Sequence, residues 1–393
     1  MKILIKNLGP IHEFEFDLDK DLHLVYGKNS IGKSHAIAAV YLILKKLKPI
    51  FFSKVLLDSD IVTTNISNSL FIAFRNTFNE TSFKNVKIEV KAKTFELTVQ
   101  SNGSKGFEVT NLGFTTDNSS FRPSFIANSE IAAMPKLYFL PASRSGLYSG
   151  VNSIASIFAE LSQLRYAMPN ASIKLPTYSE PVSDYFLTLT SATIPNSDSD
   201  IFNDMGKKIE NEVLNGSISV NPESKKIEFH DTKHNIRMDV TQTSSMVSEL
   251  APLVTFLKYI LKDERDEEGN QNSYCLFIEE PEAHLHPSVQ IELMKIFAEM
   301  ANSGIKVIMT THSDFMFNEL TNLILGDKIK SEQVASIHLV MTEKGSVDKG
   351  DMRATADGMD DYNFAEVSEQ LYEERMRLID LKNETADATI QEN

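Results

Sequence analysis

Apolar positions along this chain follow three rhythms. Continuous apolar runs predict strands at residues 22–26, 137–140, 274–278, 305–309 and 336–341, with Tyr274-Cys275-Leu276-Phe277-Ile278 reading as buried on both faces. Strict alternation predicts half-wet strands. Two of these, at 2–7 and around Ile11, Phe14, Phe16 and Leu18, flank a Gly9-Pro10 turn. Three more, at 86–90, 95–99 and 107–109, predict an antiparallel sheet within residues 49–128. Helical spacing appears at 35–47 (Ile37, Val40, Tyr41, Leu44), 243–262, 288–301, 314–325 and about 363–381. Residues 151–215 read as helical with breaks at Pro169, Pro176, Pro181 and Pro195. A hairpin pairs 217–220 with 226–229, a strand follows at 236–240, and 263–272 form a charged loop. A polar segment covers 343–362, and the last dozen residues read as disordered. Strands alternating with helices predict an α/β fold.

Composition narrows the classes. With 393 residues, 42% hydrophobic and 24% charged, the chain can bury a sizeable core in two or three lobes. The single cysteine, Cys275, excludes a disulfide framework and a Cys-based zinc site within one chain. The start, Met1-Lys2-Ile3-Leu4-Ile5-Lys6, turns polar too early for a signal peptide, and no apolar run approaches membrane-spanning length. A soluble cytoplasmic protein is expected. The net charge of −15 makes general polyanion binding unfavourable, so any DNA surface must be a local patch or arise in an assembly. The run Lys45-Lys46-Leu47-Lys48 reads as a solvated helix end.

The candidate chemistry starts at Gly27-Lys28-Asn29-Ser30-Ile31-Gly32-Lys33-Ser34, which fits G-x-x-x-x-G-K-[ST] between a strand and the helix that opens at His35. Glycines let backbone N–H groups curl around phosphate oxygens, and the helix start adds its positive dipole end. Lys33 is expected on the β- and γ-phosphates of ATP, with the Ser34 hydroxyl as a magnesium ligand. Glu279 and Glu280 end a buried strand. Adjacent acids there can divide two tasks: Glu279 holds magnesium while Glu280 faces the attacking water. His312 ends the next strand, in reach of a γ-phosphate. Glu282, His284 and His286 lie between Pro281 and Pro287 and read as a rigid turn rather than a separate metal site. The loop Pro141-Ala142-Ser143-Arg144-Ser145-Gly146 reads either as a nucleotide-edge site or as a surface turn.

Together with Asn7-Leu8-Gly9-Pro10-Ile11 and Thr310-Thr311-His312-Ser313, these stretches resemble the ABC-type ATPases of the RecF and SMC branch. More closely, the chain resembles the OLD-like ATPases, AAA-family proteins common in bacterial anti-phage defence. The stretch Glu279-Glu280-Pro281-Glu282-Ala283-His284-Leu285-His286-Pro287 is the most specific part of that likeness. The resemblance implies an α/β ABC-ATPase head with a P-loop mixed sheet, an antiparallel β-lobe and a helical insertion lobe. Its parts would be 1–144, an insertion at 145–235, a second head segment at 236–342 and a tail at 343–393. It further implies that residues 243–250 stand in for the ABC signature, although they lack glycines, with Ser244 and Ser245 offered to the γ-phosphate of another copy. ATP would join a homodimer, hydrolysis by Glu280 would release it, and the turn at 282–287 would lie at the interface. Arg144 takes the Q-loop position without the glutamine, as a nucleotide or interface sensor. Coiled-coil arms are not expected, because no sustained heptads occur, and a Toprim nuclease domain is not expected, because Asp357-Gly358-Met359-Asp360-Asp361 lacks a preceding apolar strand. The implied activity is an ATP-gated switch acting through a separately encoded effector, a nuclease or toxin, that the tail would dock unless its helix packs on its own domain. A RecF-like ATPase acting on DNA and a nucleotide-locked scaffold remain open.

Overall fold

The computed structural model describes residues 1–52, 59–114, 134–150, 178–192, 194–197, 200–224, 226–263, 272–360 and 365–391. In chain order the first strands are β1 (Lys2–Leu8), β2 (Ile11–Asp17) and β3 (Leu22–Tyr26), followed by helices α1 (Lys33–Phe52) and α2 (Ser59–Thr77). Strands β4 (Lys87–Lys91), β5 (Phe95–Ser101), β6 (Phe107–Phe114) and β7 (Lys136–Leu140) come next. Helices α3 (Glu180–Ser191) and α4 (Ile201–Ile209) precede β8 (Gly216–Val220), β9 (Ile227–Asp231) and β10 (Ile236–Asp239). The remainder is α5 (Ser245–Thr255), β11 (Tyr274–Glu279), α6 (Pro287–Asn302), β12 (Ile305–Thr311), α7 (Asp314–Leu325), β13 (Val334–Thr342), β14 (Gly345–Asp348) and α8 (Ala365–Gln391).

Eleven of these strands form one sheet in the order β6-β5-β4-β1-β2-β14-β13-β3-β12-β11-β7, and β10-β9-β8 form a small antiparallel one. From β13 to β7 every neighbour is parallel. From β6 to β2 every neighbour is antiparallel. The alternation of side chains across a strand divides the interior in two. Leu22, Leu24, Leu276, Ile278, Val307 and Met309 join one apolar cluster with α4 to α7. Val25, Cys275, Phe277 and Ile308 join the other, against α1 and α2. Helix α1 is apolar nearly all round because α2 and α3 cover its far side; each fully buried leucine, such as Leu42 or Leu44, contributes about 1.5–3 kcal/mol.

Several expectations need correction. Within 49–128 the sequence reads as sheet, yet α1 continues past Pro49 to Phe52 and α2 occupies Ser59–Thr77. The polar segment after β13 contains β14, which pairs with β13 and meets β2 at Ser346↔Ile11. The C-terminal helix runs on to Gln391 instead of ending near 381, and Leu371, Tyr372 and Leu378 on it are exposed rather than packed on the domain. The breaks at Pro169 and Pro176 lie outside the described residues. None of the described helices is long and apolar enough to cross a membrane.

Candidate functional site

The phosphate loop joins β3 to α1, and its shape depends on two glycines. Gly27 sits at φ +139°, where a Cβ would lie 2.4 Å from the Leu339 carbonyl oxygen. Gly32 sits at φ +101°, where a Cβ would lie 2.8 Å from both Pro10 and Ile11 side chains. The loop is thus wedged against β13 on one side and the β1–β2 turn on the other, and only glycine fits. Ser346 of β14 adds a clamp: its hydroxyl reaches the Ile31 carbonyl at 2.6 Å and the Pro10 carbonyl at 3.1 Å. Lys33 is 6% exposed and donates to the Gly27 and Lys28 carbonyls, both at 2.9 Å. Burial pulls its pKa down to about 8, although the carboxylates of Glu280 and Glu282 oppose the shift.

Parallel strands bring their carboxyl ends to one edge, which is why residues distant in sequence meet here. A cavity of about 1030 Å³ opens above β3, β12 and β11. Its walls are Asn29, Ser30, Gly32, Lys33, Ser34 and His35 from the loop, Pro10 from the β1–β2 turn, and Glu280 and His312 from the strand ends. Glu280 Oε1 lies 3.9 Å from His312 Nε2. Glu280 adopts φ +43°, in the left-handed region, and its N–H donates to the Thr310 carbonyl at 3.1 Å. Burial and the neighbouring Lys33 charge keep the His312 pKa below its ordinary value, against the opposing Glu280 charge.

Glu279 turns toward the loop. It accepts from the Ser34 hydroxyl, and its Oε2 accepts from the Ala142 N–H at 3.1 Å. Burial pushes its carboxyl pKa up, with the Glu280 charge adding to the rise. Two hard oxygen donors, Ser34 and Glu279, therefore stand together beside a cationic loop, the donor set that magnesium takes. With N–H groups of a glycine loop and the Lys33 ammonium in the same cavity, the residues fit a magnesium-bound nucleoside triphosphate.

Glu282 is a participant that the sequence reading left in the turn. Its Oε1 accepts the His312 N–H at 2.5 Å, while its buried Oε2 has no partner among the described residues. Burial raises its pKa as well. The remaining sequence-predicted residues lie elsewhere. Ser244 caps α5, its hydroxyl accepting from the Val247 N–H at 3.4 Å; it and Ser245 are exposed and do not line the cavity of their own chain. His286 caps α6. Arg144, read from sequence as a nucleotide contact or a surface turn, is neither exposed nor part of the cavity wall. It is 2% exposed, and its guanidinium donates to the carbonyls of Pro141, Glu279, Glu280 and Glu249.

A family model described as an AAA ATPase domain matches residues 152–317, an interval that holds Ser244, Ser245, Glu279, Glu280 and His312 and begins after the phosphate loop. No curated protein matches the sequence. Solved structures similar to this chain include an SmcHead bound to the C-winged helix domain of ScpA, at 14% identity and a TM-score of 0.42, covering 88% of this chain and 95% of that one. The SMC head domain from Thermotoga maritima matches at 11% identity and a TM-score of 0.38, covering 88% and 96%. An Smc head domain with an extended coiled coil, bound to the C-terminal domain of ScpA derived from Pyrococcus furiosus, matches at 12% identity and a TM-score of 0.40, covering 95% and 98%.

Proposed function

We propose that this chain binds ATP with magnesium in the cavity above β3, β12 and β11, hydrolyses it, and uses the cycle to join and release two copies of itself. One observation carries the reading: Lys33, Ser34, Glu280 and His312, drawn from three separate chain segments, line a single cavity beside the Glu279 carboxylate. Ser34 and Glu279 would hold the magnesium ion, whose charge offsets that on the phosphate oxygens. Lys33 exchanges its bonds to Gly27 and Lys28 for phosphate oxygens. Glu280 orients a water and takes its proton as the water oxygen bonds the γ-phosphorus and the bond to ADP breaks. His312 is a hydrogen-bonding partner for the γ-phosphate.

The exposed position of Ser244 and Ser245, outside their own cavity and at a helix N-terminus, supports a role as the anion site for a second copy. The finer reading is a switch that controls a separately encoded nuclease or toxin in anti-phage defence. It rests on the OLD-like resemblance of residues 279–287. Direct action on DNA has less support at a net charge of −15. A nucleotide-locked scaffold would leave cellular activity unchanged in Glu280→Gln. The deciding experiment is mass-resolved size analysis of Glu280→Gln with and without ATP and magnesium, beside Lys33→Ala. A doubling of mass that needs both ATP and Lys33 is expected; a mass independent of nucleotide would overturn the joining of copies.

A further inference from the structure

We propose that Arg144 is a positioning residue, linking the first turns of α5 to the strand end that carries Glu280 through the carboxylate of Glu249. The inference rests on the ATPase reading above and deepens it. The guanidinium is a rigid planar fork, so the groups it binds are held in fixed relation. Its Nη1 donates to the Glu279 carbonyl at 2.7 Å, Nη2 to the Glu280 carbonyl at 3.3 Å, and Nε to the Glu249 carbonyl at 3.1 Å. One side chain thereby holds the backbone of both strand-end acids and of α5.

Glu249 completes the link from the other side. It is fully buried, with Oε2 3.4 Å from Arg144 Nε. The same Oε2 accepts the Arg144 N–H at 3.2 Å, and Oε1 accepts the Ser145 N–H at 3.3 Å and the Ser145 hydroxyl at 2.6 Å. The carboxylate thus satisfies N–H groups at the start of the helical stretch that opens at Arg144. Glu249 stands one helical turn beyond Ser245, and a helix moves as a unit over that distance. A force applied at Ser244 and Ser245 reaches the Glu280 carbonyl through two side chains.

The conformation at the receiving end gives this link a purpose. Glu280 is a non-glycine residue at φ +43°, a strained region that persists only where neighbours impose it. Its N–H is fixed by the Thr310 carbonyl at 3.1 Å and hydroxyl at 3.3 Å, and its C=O by Arg144. Rotation of that peptide swings the Glu280 carboxylate relative to the cavity. Docking of a second copy at α5 would therefore set the angle of the group that orients water.

The test uses two variants of the full chain: the doubly neutral Arg144→Met with Glu249→Gln, which leaves no lone buried charge, and Arg144→Lys, which keeps the charge but not the fork. Melting temperature, affinity for a non-hydrolysed ATP analogue with magnesium, and kcat per nucleotide-binding site are measured for each beside wild type and Lys33→Ala. The expected result is analogue affinity within about threefold of wild type and a kcat per site lowered about tenfold or more, the scale of a small misplacement at the reacting centre. A merely structural role would lower the melting temperature and the number of active sites while leaving kcat per site intact. Wild-type kcat per site in either variant overturns the proposal; if the double variant does not fold, Arg144→Lys decides. Wild-type protein without Lys33-dependent turnover overturns the ATPase reading and this link with it. Lys33-dependent turnover with unchanged variants overturns the link alone.

Discussion

The two halves of the large sheet share strands of similar length and each buries an apolar face, but they handle charge in opposite ways. In the antiparallel half, charged side chains sit on the wet face and pair across neighbouring strands: Lys2 with Glu15 at 3.0 Å, Lys6 with Glu13 at 3.0 Å. Those contacts lie in water and contribute little. In the parallel half both faces are covered, so charge is confined to the strand ends: Lys306 pairs with Asp21 at the amino edge, while at the carboxyl edge Lys33, Glu279, Glu280 and Glu282 are pressed together and the protonation of Lys33, Glu279 and Glu282 is disturbed. Antiparallel neighbours send their ends in alternate directions and build no such edge. Strand direction, more than composition, decides which half of the sheet can carry chemistry.

Matched cavities offer the strongest challenge to this contrast. Phe277 on β11 and Phe95 on β5 are both buried, and truncation to alanine should cost each about 3–5 kcal/mol in chemical denaturation. Turnover per folded molecule should fall only for Phe277→Ala, because its strand ends two residues later at Glu279. Equal loss of turnover in both would erase the division between halves.

Proton linkage sharpens it further. Lys33 must be protonated to attract phosphate, and its pKa of about 8 in the free loop lies below the ordinary 10.5. Above pH 8 the free loop loses its proton and binding must restore it, so the apparent Kd for ATP should rise by up to about tenfold per pH unit. Below pH 8 the affinity should be flat with respect to this group. Fluorescence titration between pH 7 and 9.5 tests the slope. In the antiparallel half, hydrogen bonding to Glu15 and Glu13 raises the pKa values of Lys2 and Lys6, so neither should titrate in that window. The smallest effect is expected for Lys6→Ala: stability within about 0.5 kcal/mol of wild type by denaturation, and unchanged turnover.

The parallel half was legible in sequence because strands buried on both faces leave unbroken apolar runs, and each ends at an identifiable loop, acid or histidine. Helix α2 was not. Val62, Ile66, Leu70, Ala73 and Phe74 are buried at helical spacing, but they are embedded among β-branched, Asn and Ser residues that favour other states. Strand β14 is four residues long and owes its place to contacts with Pro10 and Ile31, more than 300 positions away. In the site, Lys33, Ser34 and Glu280 follow from local motifs. The environment of Arg144 depends on a carboxylate 105 residues downstream, and no local pattern carries that.

Cys275 turns strand β11 into its own clock. It is the chain's sole cysteine, wholly enclosed on β11 between β12 and β7, and burial pushes its thiol pKa up. A thiol reagent can modify it only in molecules whose central strand has opened, so the labelling rate at low denaturant counts those openings directly. If ATP binds at the end of the same strand as proposed, it favours the closed form, and at a fixed excess of ATP each tenfold tightening of binding should slow that clock by a matching factor.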